Sequence, residues 1–429
     1  MKVALINPAW RFDHSIYFGC QEPHLPLELG YAKTLLENNG HDVLLLDGML
    51  DALDAAALAV SVQAFQPDMT VVTTAPTYLF WRCAPPELRV PRDMVRRLAA
   101  LDTLTVAVGP HGSSTPEATL RKLDVDVVLR GECEQAIVAL ADAGSPRAVA
   151  GAAWRAADGE IQVNGPPVAA RFTDAPPLVW PDAWVQRHRH HHHRFDTSSD
   201  VPGAEVEASR GCPYACSFCA KIDFRDSYRR RDLPLLLAEI DGLISQGVGY
   251  LYFIDEIFLP QRPLLQALRE RNIQFGVQTR IDLWKPDMIA LLGSAGCVSI
   301  EAGIESLTPE GRAALDKNCR MTTEELTERL VLARQAIPFV QANLIRSPGD
   351  DMDMIAAWRD QLRARGVWAN DPVPMYPYPS SPDYRRLWGN PDDQAWERAH
   401  AHYLGNFEVF SDIQGSGPLP LAVLEDMVC

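Results

Sequence analysis

The chain has 429 residues, 47% of them hydrophobic and 22% charged, an ordinary balance for a globular protein of two or three domains. A formal net charge of −16 disfavours generic nucleic-acid binding, which depends on neutralising phosphates. No apolar run approaches the roughly 20 residues of a membrane span, and nine cysteines in a chain this long are not a disulfide framework. The opening Met1-Lys2-Val3-Ala4-Leu5-Ile6-Asn7-Pro8 reads as a first strand and not as a signal peptide. A cytoplasmic protein with neither nucleic acid nor membrane as partner is expected.

Over residues 1–145 the pattern alternates. Strands are expected at 2–6, 42–46, 69–74, 103–108 and 125–129, and helices at 25–39, 50–65, 87–100 and 115–122. This alternation predicts an α/β domain with a parallel sheet covered on both faces. Its ligand crevice should lie at the carboxyl ends of the strands. The loop over 10–26 is long and aromatic, a candidate lid or substrate contact. A second unusual loop, 78–86, carries Trp81, Arg82 and Cys83. His14, His24 and His111 fall in strand-end loops and read as hydrogen-bonding residues rather than metal ligands.

Residues 146–203 read as a linker. It holds a hairpin turning at Asp158-Gly159, a proline-rich passage over 165–181, and the run His188-Arg189-His190-His191-His192-His193-Arg194. That run is expected to be exposed and to bind metal only adventitiously.

From 204 to 380 strand and helix alternate six times. Strands are expected at 204–208, 250–254, 274–279, 298–302, 339–345 and 373–376. Directly after the first of them stands Ala208-Ser209-Arg210-Gly211-Cys212-Pro213-Tyr214-Ala215-Cys216-Ser217-Phe218-Cys219, a C-x3-C-x2-C spacing. Thiolates are soft ligands, and three in one tight loop suit an iron–sulfur cluster. A [4Fe–4S] cluster held by three cysteines keeps one iron open to a substrate. A zinc site would want a fourth Cys or His nearby, and none lies between Glu205 and Arg231. Cys297, Cys319 and Cys429 are isolated, so one cluster is expected. Arg225, Arg229, Arg230 and Arg231 follow, with Asp223, Asp226 and Asp232 as expected ion-pair partners that pin the loop. Tyr384, Trp388 and Trp396 are expected to anchor a cap on the barrel.

This cysteine motif, with the strand ends that follow it, resembles the radical S-adenosylmethionine (SAM) superfamily. Asn7-Pro8, Leu27-Glu28-Leu29-Gly30-Tyr31, Gly109-Pro110-His111 and Arg130-Gly131-Glu132-Cys133-Glu134 resemble the cobalamin-binding domain that precedes many of its members. The implied fold is α/β. An N-terminal Rossmann-like, cobalamin-binding-type parallel-sheet domain (1–145) and a hairpin and Pro/His-rich linker (146–203) precede a partial (β/α)6 barrel (204–380) and a C-terminal cap (381–429). The implied cofactors are a [4Fe–4S] cluster and SAM. Cobalamin stays open, because no D-x-H-x-x-G run is present: Asp13-His14 is followed by Ser15-Ile16-Tyr17. By the same resemblance Cys212, Cys216 and Cys219 hold the cluster and Phe218 packs near the adenine. Asp255 and Glu256 lie where the SAM amino group is held, mainly by backbone. Arg280 pairs with the SAM carboxylate, and Glu301 meets the ribose hydroxyls.

A narrower resemblance rests on Ser15-Ile16-Tyr17-Phe18-Gly19-Cys20, Tyr78-Leu79-Phe80-Trp81-Arg82-Cys83 and Phe253-Ile254-Asp255-Glu256-Ile257-Phe258. These stretches are similar to the radical SAM diol-dehydratases of aminoglycoside pathways, of the apramycin type. The implied substrate is an aminoglycoside pseudodisaccharide such as paromamine. It would lose hydrogen from C4′ and water from C3′ to give a 4′-oxo-3′-deoxy product. A flavodoxin- or ferredoxin-type electron donor and a downstream NADPH-dependent dehydrogenase are the implied partners. Acid and base candidates by strand-end position are Glu256, Glu207, Asp282 and Tyr228. Two other readings stay open: a cobalamin-dependent radical methyltransferase, and a non-catalytic cobalamin sensor with a structural cluster.

Overall fold

Five parallel strands open the chain: β1 (Lys2–Asn7), β2 (Asp42–Asp47), β3 (Met69–Thr73), β4 (Leu104–Val108) and β5 (Val127–Leu129). They pair in the order β2-β1-β3-β4-β5. The structure, a computed structural model, describes residues 1–17, 22–80, 84–189, 201–346, 349–407 and 417–427. The strand order is the flavodoxin-like one, a doubly wound relative of the dinucleotide-binding order, with its switch point between β1 and β3. Alternate residues of β1 feed opposite faces. Val3 and Leu5 join one hydrophobic core, Ala4 and Ile6 the other, as the period-two pleat requires of a sheet covered on both sides.

The hairpin expected at the start of the linker forms as β6 (Ala152–Arg155) and β7 (Ile161–Val163). It pairs antiparallel onto β5 and extends the first sheet. The rest of the described linker is anchored by a few buried side chains. Phe172, Leu178, Trp180 and Trp184 lie in the same core cluster as Val3 of the first domain and Ala342 of the second. A side chain at Gly30 would collide with the Trp180 ring, which explains the glycine in Leu29-Gly30-Tyr31. His188 is 1% exposed, so the exposed-linker reading fails for that residue; residues 190–200 lie outside the described ones.

The second sheet runs β8 (Gly203–Val206), β11 (Tyr250–Phe253), β12 (Gln274–Thr279), β13 (Cys297–Glu305), β14 (Phe339–Arg346) and β15 (Trp368–Ala369), all parallel, with β8 and β15 at its edges. The strand expected at 373–376 is the two-residue β16 (Val373–Pro374), which continues the pairing along β14. A short antiparallel pair, β9 (Ser209–Arg210) with β10 (Arg229–Arg230), brackets the cysteine loop.

The cap does not sit on the barrel alone. Trp396 stacks on His111 of the first domain at 4.3 Å and donates to Thr115 Oγ1 at 3.1 Å. Tyr384 and Trp396 pack with Tyr376, Tyr378 and Ala84 in a third core cluster. The cap therefore bridges both domains. Among the described residues no helix is long and apolar enough to cross a membrane.

Candidate functional site

Cys212, Cys216 and Cys219 stand on one loop at the carboxyl end of β8, held from three sides. Gly211 has φ +76°, and a side chain there would strike the Ser227 carbonyl, so only glycine closes the loop against β10. The Ser217 amide donates to Leu315 O at 3.0 Å. Ser217 O accepts from the Asp383 amide at 2.9 Å, and its hydroxyl donates to Asp383 Oδ2 at 2.9 Å. Burial pushes all three thiols up, Cys219 to about 12. They would become thiolates through the charge of bound metal.

Behind the loop lies a buried charge network. Glu207, directly after β8, accepts from Arg210 Nε at 3.2 Å and Arg210 Nη2 at 2.8 Å, and from Arg225 Nη1 at 2.7 Å. Arg210 Nη1 is 2.7 Å from Glu134 Oε1 and 3.5 Å from Glu132 Oε1. Glu132 also accepts from Arg229 at 2.7 and 2.9 Å. Arg225 reaches Glu28 at 3.4 Å and Glu256 at 3.5 Å, and Glu256 Oε2 accepts from the Gly211 amide at 2.9 Å. Five carboxylates thus face three guanidiniums, and the surplus shows in their protonation. Burial pushes Glu207 up, but Arg210 and Arg225 outweigh it and hold the group below the usual carboxylate range. Glu28, with weaker partners, is pushed by burial to about 7, and Glu256 also rises.

At the switch point of the first sheet, Asn7 Nδ2 donates to Asp47 at 2.6 Å and Asn7 Oδ1 accepts from Trp10 Nε1 at 2.7 Å. Trp10 and Phe12 are buried and stacked at 6.0 Å. Trp10 and Phe12 thus anchor the start of the 10–26 loop in the core. Just beyond β3, Thr74 Oγ1 is buried without a hydrogen-bond partner, a hydroxyl that fits a polar ligand at the edge where such domains bind theirs.

Residues 206–362 match the Radical SAM superfamily, and residues 20–141 match the B12 binding domain. The chain joins a B12-binding domain to a radical SAM domain. A radical SAM domain implies a [4Fe–4S] cluster and SAM, and a B12-binding domain implies cobalamin. The uncharacterized methyltransferase PH0819 of Pyrococcus horikoshii is 24% identical over 323 residues, 72% of this chain and 66% of that one. The anaerobic magnesium-protoporphyrin IX monomethyl ester cyclase of Cereibacter sphaeroides is 27% identical over 412 residues, 90% of this chain and 64% of that one. The chain thus spans about two thirds of the length of these curated relatives. The structure of the radical SAM methyltransferase TsrM from Kitasatospora setae superposes with a TM-score of 0.69 at 19% identity, over 89% of this chain and 76% of that one, which shows a shared fold.

The remaining predicted residues of the radical SAM domain fall as follows. Asp255, after β11, accepts from the Ala208 amide at 2.9 Å and from the Ser209 hydroxyl; burial pushes it up to about 8. The Asp255 and Glu256 side chains thus hold the cluster loop. Arg280 forms a two-pronged pair with Asp282 at 3.2 and 2.8 Å, donates to Lys317 O at 2.6 Å, and lies 4.1 Å over the Tyr214 ring. Asp282 is its counter-ion and Tyr214 sits within the cysteine loop, so this arginine braces the loop. Glu301, on β13, accepts from Tyr252 at 3.1 Å. Phe218 is half-buried on the loop. Tyr228 is half-buried and accepts from Arg230 at 3.3 Å. Of the four acid and base candidates, Glu207 and Asp282 are thus locked in ion pairs and Tyr228 stands apart. Glu256, also paired with Arg225, accepts a backbone amide of the loop.

The expected local ion pairs are largely replaced by distant ones. Arg231 pairs with Glu239 at 2.7 Å, and Asp223 with Arg385 at 2.7 Å. Only Lys221 with Asp226 is local. Sequence reasoning missed Glu28, Glu132, Glu134 and Arg210 as loop supports. Their partners lie as far as 197 positions away, beyond the reach of any spacing rule.

His24, His188 and Glu205 also converge, all buried, with ligand atoms within 4.8 Å of one another. His24 Nδ1 is 3.0 Å from Glu205 Oε1. Leu25 N–H donates to His188 Nδ1 at 3.1 Å, which puts that ring's proton on Nε2 and its lone pair on the backbone. The trio latches the loop after β1 and the linker to the first barrel strand, and this tautomer does not suit a metal ligand.

Proposed function

We propose that the protein is a cobalamin-dependent radical SAM methyltransferase acting on a carbon of a small polar substrate. The observation that carries this is the direct joining of the two cofactor elements: Glu28 and Glu132 of the B12-binding domain reach Arg225 and Arg210 behind the cluster loop. The methyltransferases among its relatives support the reading. When bound, the cluster supplies the electron that cleaves SAM and cobalamin carries the methyl group. The chain's own part is to hold and orient. Cys212, Cys216 and Cys219 would ligate the cluster, the 254–256 backbone and Glu301 would meet SAM, and Thr74 would meet cobalamin. Two adjoining clefts, of about 450 and 530 Å³, share Arg346, Gly349, Asp350 and Met375. The larger reaches Leu315 and Asp383, which grip Ser217. Their mixed charges suit a polar substrate, and we take them as its entrance.

Dehydration of an aminoglycoside diol such as paromamine is the second reading. One observation favours it: the strand ends of the B12-binding domain are covered by the chain's own aromatics, Trp10 beside Asn7 and Trp396 on His111, and dehydration needs no methyl carrier. A flavodoxin- or ferredoxin-type donor belongs to both readings, an NADPH-dependent dehydrogenase to the second. The test is an anaerobic reaction of the reconstituted protein with SAM, reductant and paromamine, with and without cobalamin, read by mass spectrometry. A gained methyl group that requires cobalamin supports the first reading. Loss of water with 5′-deoxyadenosine in its absence replaces it with the second.

A further inference from the structure

Arg225 pairs with Glu28 on the first helix of the B12-binding domain and with Glu207 and Glu256, the supports of the cluster loop. It is 1% exposed. One guanidinium meets Glu207 at 2.7 Å, Glu28 at 3.4 Å, Glu256 at 3.5 Å and Glu132 at 3.8 Å. Each end of this array leads on. On one side, Glu28 Oε2 accepts from Thr77 Oγ1 at 2.7 Å, and Thr77 Oγ1 accepts from the Leu27 amide at 3.1 Å. Thr77 belongs to the segment after β3, at the switch point. On the other side, Glu256 Oε2 takes the Gly211 amide, the residue before Cys212. The chain of contacts is continuous from the switch-point crevice to the first cluster ligand: Thr77, Glu28, Arg225, Glu256, Gly211.

We propose that Arg225 is a positioning residue that couples the crevice of the B12-binding domain to the geometry of the cluster loop. A guanidinium suits this task because its planar fork spreads five donors over several carboxylates at once. An ammonium of the same charge is a point and cannot span them. The coupling rests on the reading of Cys212, Cys216 and Cys219 as cluster ligands, and on neither methyl transfer nor dehydration. Contiguity alone does not establish coupling, so the test must read the cluster from a change made in the other domain.

The test compares full-length reconstituted wild type with Arg225→Lys, Glu28→Gln and the control Arg231→Lys. The control alters another buried arginine, whose side chain pairs with Glu239, donates to Ala175 O and Pro176 O and lies over the Tyr31 ring, partners distinct from those of Arg225. Iron content, the electron paramagnetic resonance spectrum of the reduced cluster, its reduction midpoint, and hydrogen exchange of amides 208–220 are measured without cobalamin or substrate. Arg225→Lys and Glu28→Gln should retain iron, change the spectrum, move the reduction equilibrium at least threefold, and raise loop exchange about tenfold. Arg231→Lys should change stability only. Wild-type spectra and midpoints in both Arg225→Lys and Glu28→Gln would overturn the proposal and leave the network as a structural ion cluster. Where Arg225→Lys fails to hold iron, Glu28→Gln is judged alone by the same criteria, since its side chain touches no loop atom. None of these readings needs turnover, so failure of the methyltransferase reading would show separately.

Discussion

Glu207→Gln separates a structural carboxylate from a catalytic one. In the wild type this group, buried beside the cluster loop, takes three hydrogen bonds from Arg210 and one from Arg225. Breaking one member of a buried ion cluster costs about 3–5 kcal/mol. The lower part of that range applies here, because Glu28 and Glu256 are surplus carboxylates that can ionise and restore part of the charge, although they cannot restore the geometry. The pH dependence has a definite sign. A carboxylate whose folded pKa lies below its ordinary 4.5 contributes stability above that value and loses it as pH falls through the folded one. Glu207→Gln should therefore lower the urea midpoint at pH 7 and flatten the acid limb below about pH 4.5. The assay is urea unfolding from pH 3 to 8, followed by tryptophan fluorescence, with iron content measured in parallel. A variant with the wild-type midpoint and full iron, yet without SAM cleavage, would refute the structural assignment and restore Glu207 as a catalytic group.

Gly211→Ala forces a left-handed φ on a residue with a side chain and drives that side chain into Ser227; at about 1–2 kcal/mol for the conformation alone, reconstituted iron should fall well below the wild-type level. Replacing Cys212, Cys216 and Cys219 together by Ala should abolish iron binding and SAM cleavage while the circular dichroism of the fold persists, and retained iron would place the cluster elsewhere. Trp396→Ala removes the indole from His111 and Thr115, which should cost about 3–5 kcal/mol and make the cap the first segment cut in limited proteolysis. Asp255, raised by burial to about 8, binds its proton more tightly folded than unfolded, so its contribution to stability declines as pH rises from about 4 to 8. Asp255→Asn should remove that slope from the urea midpoint, and an unchanged slope would mean that Asp255 is ionised in the folded protein.

The sequence by itself determined what local chemistry determines. Three cysteines within eight residues named their metal class, since ligands on one loop need no fold to bring them together. Alternating apolar strands and amphipathic helices determined both parallel sheets, because side-chain periodicity is set by backbone geometry. Gly211, Asn7-Pro8 and Gly109-Pro110 marked real turns for the same reason. Only the tertiary structure decided which charges meet. Glu207 and Asp282 stand at strand ends, where a base would stand, and are spoken for by Arg210, Arg225 and Arg280. The Arg130-Gly131-Glu132-Cys133-Glu134 landmark proved to grip the cluster loop through Glu132 and Glu134. His188, in a run that reads as solvent-exposed, is buried against His24. In each case the partner lies far off in the chain. A long flexible side chain takes whichever opposite charge the packed fold brings within a few ångströms, and no periodicity in the sequence encodes that choice.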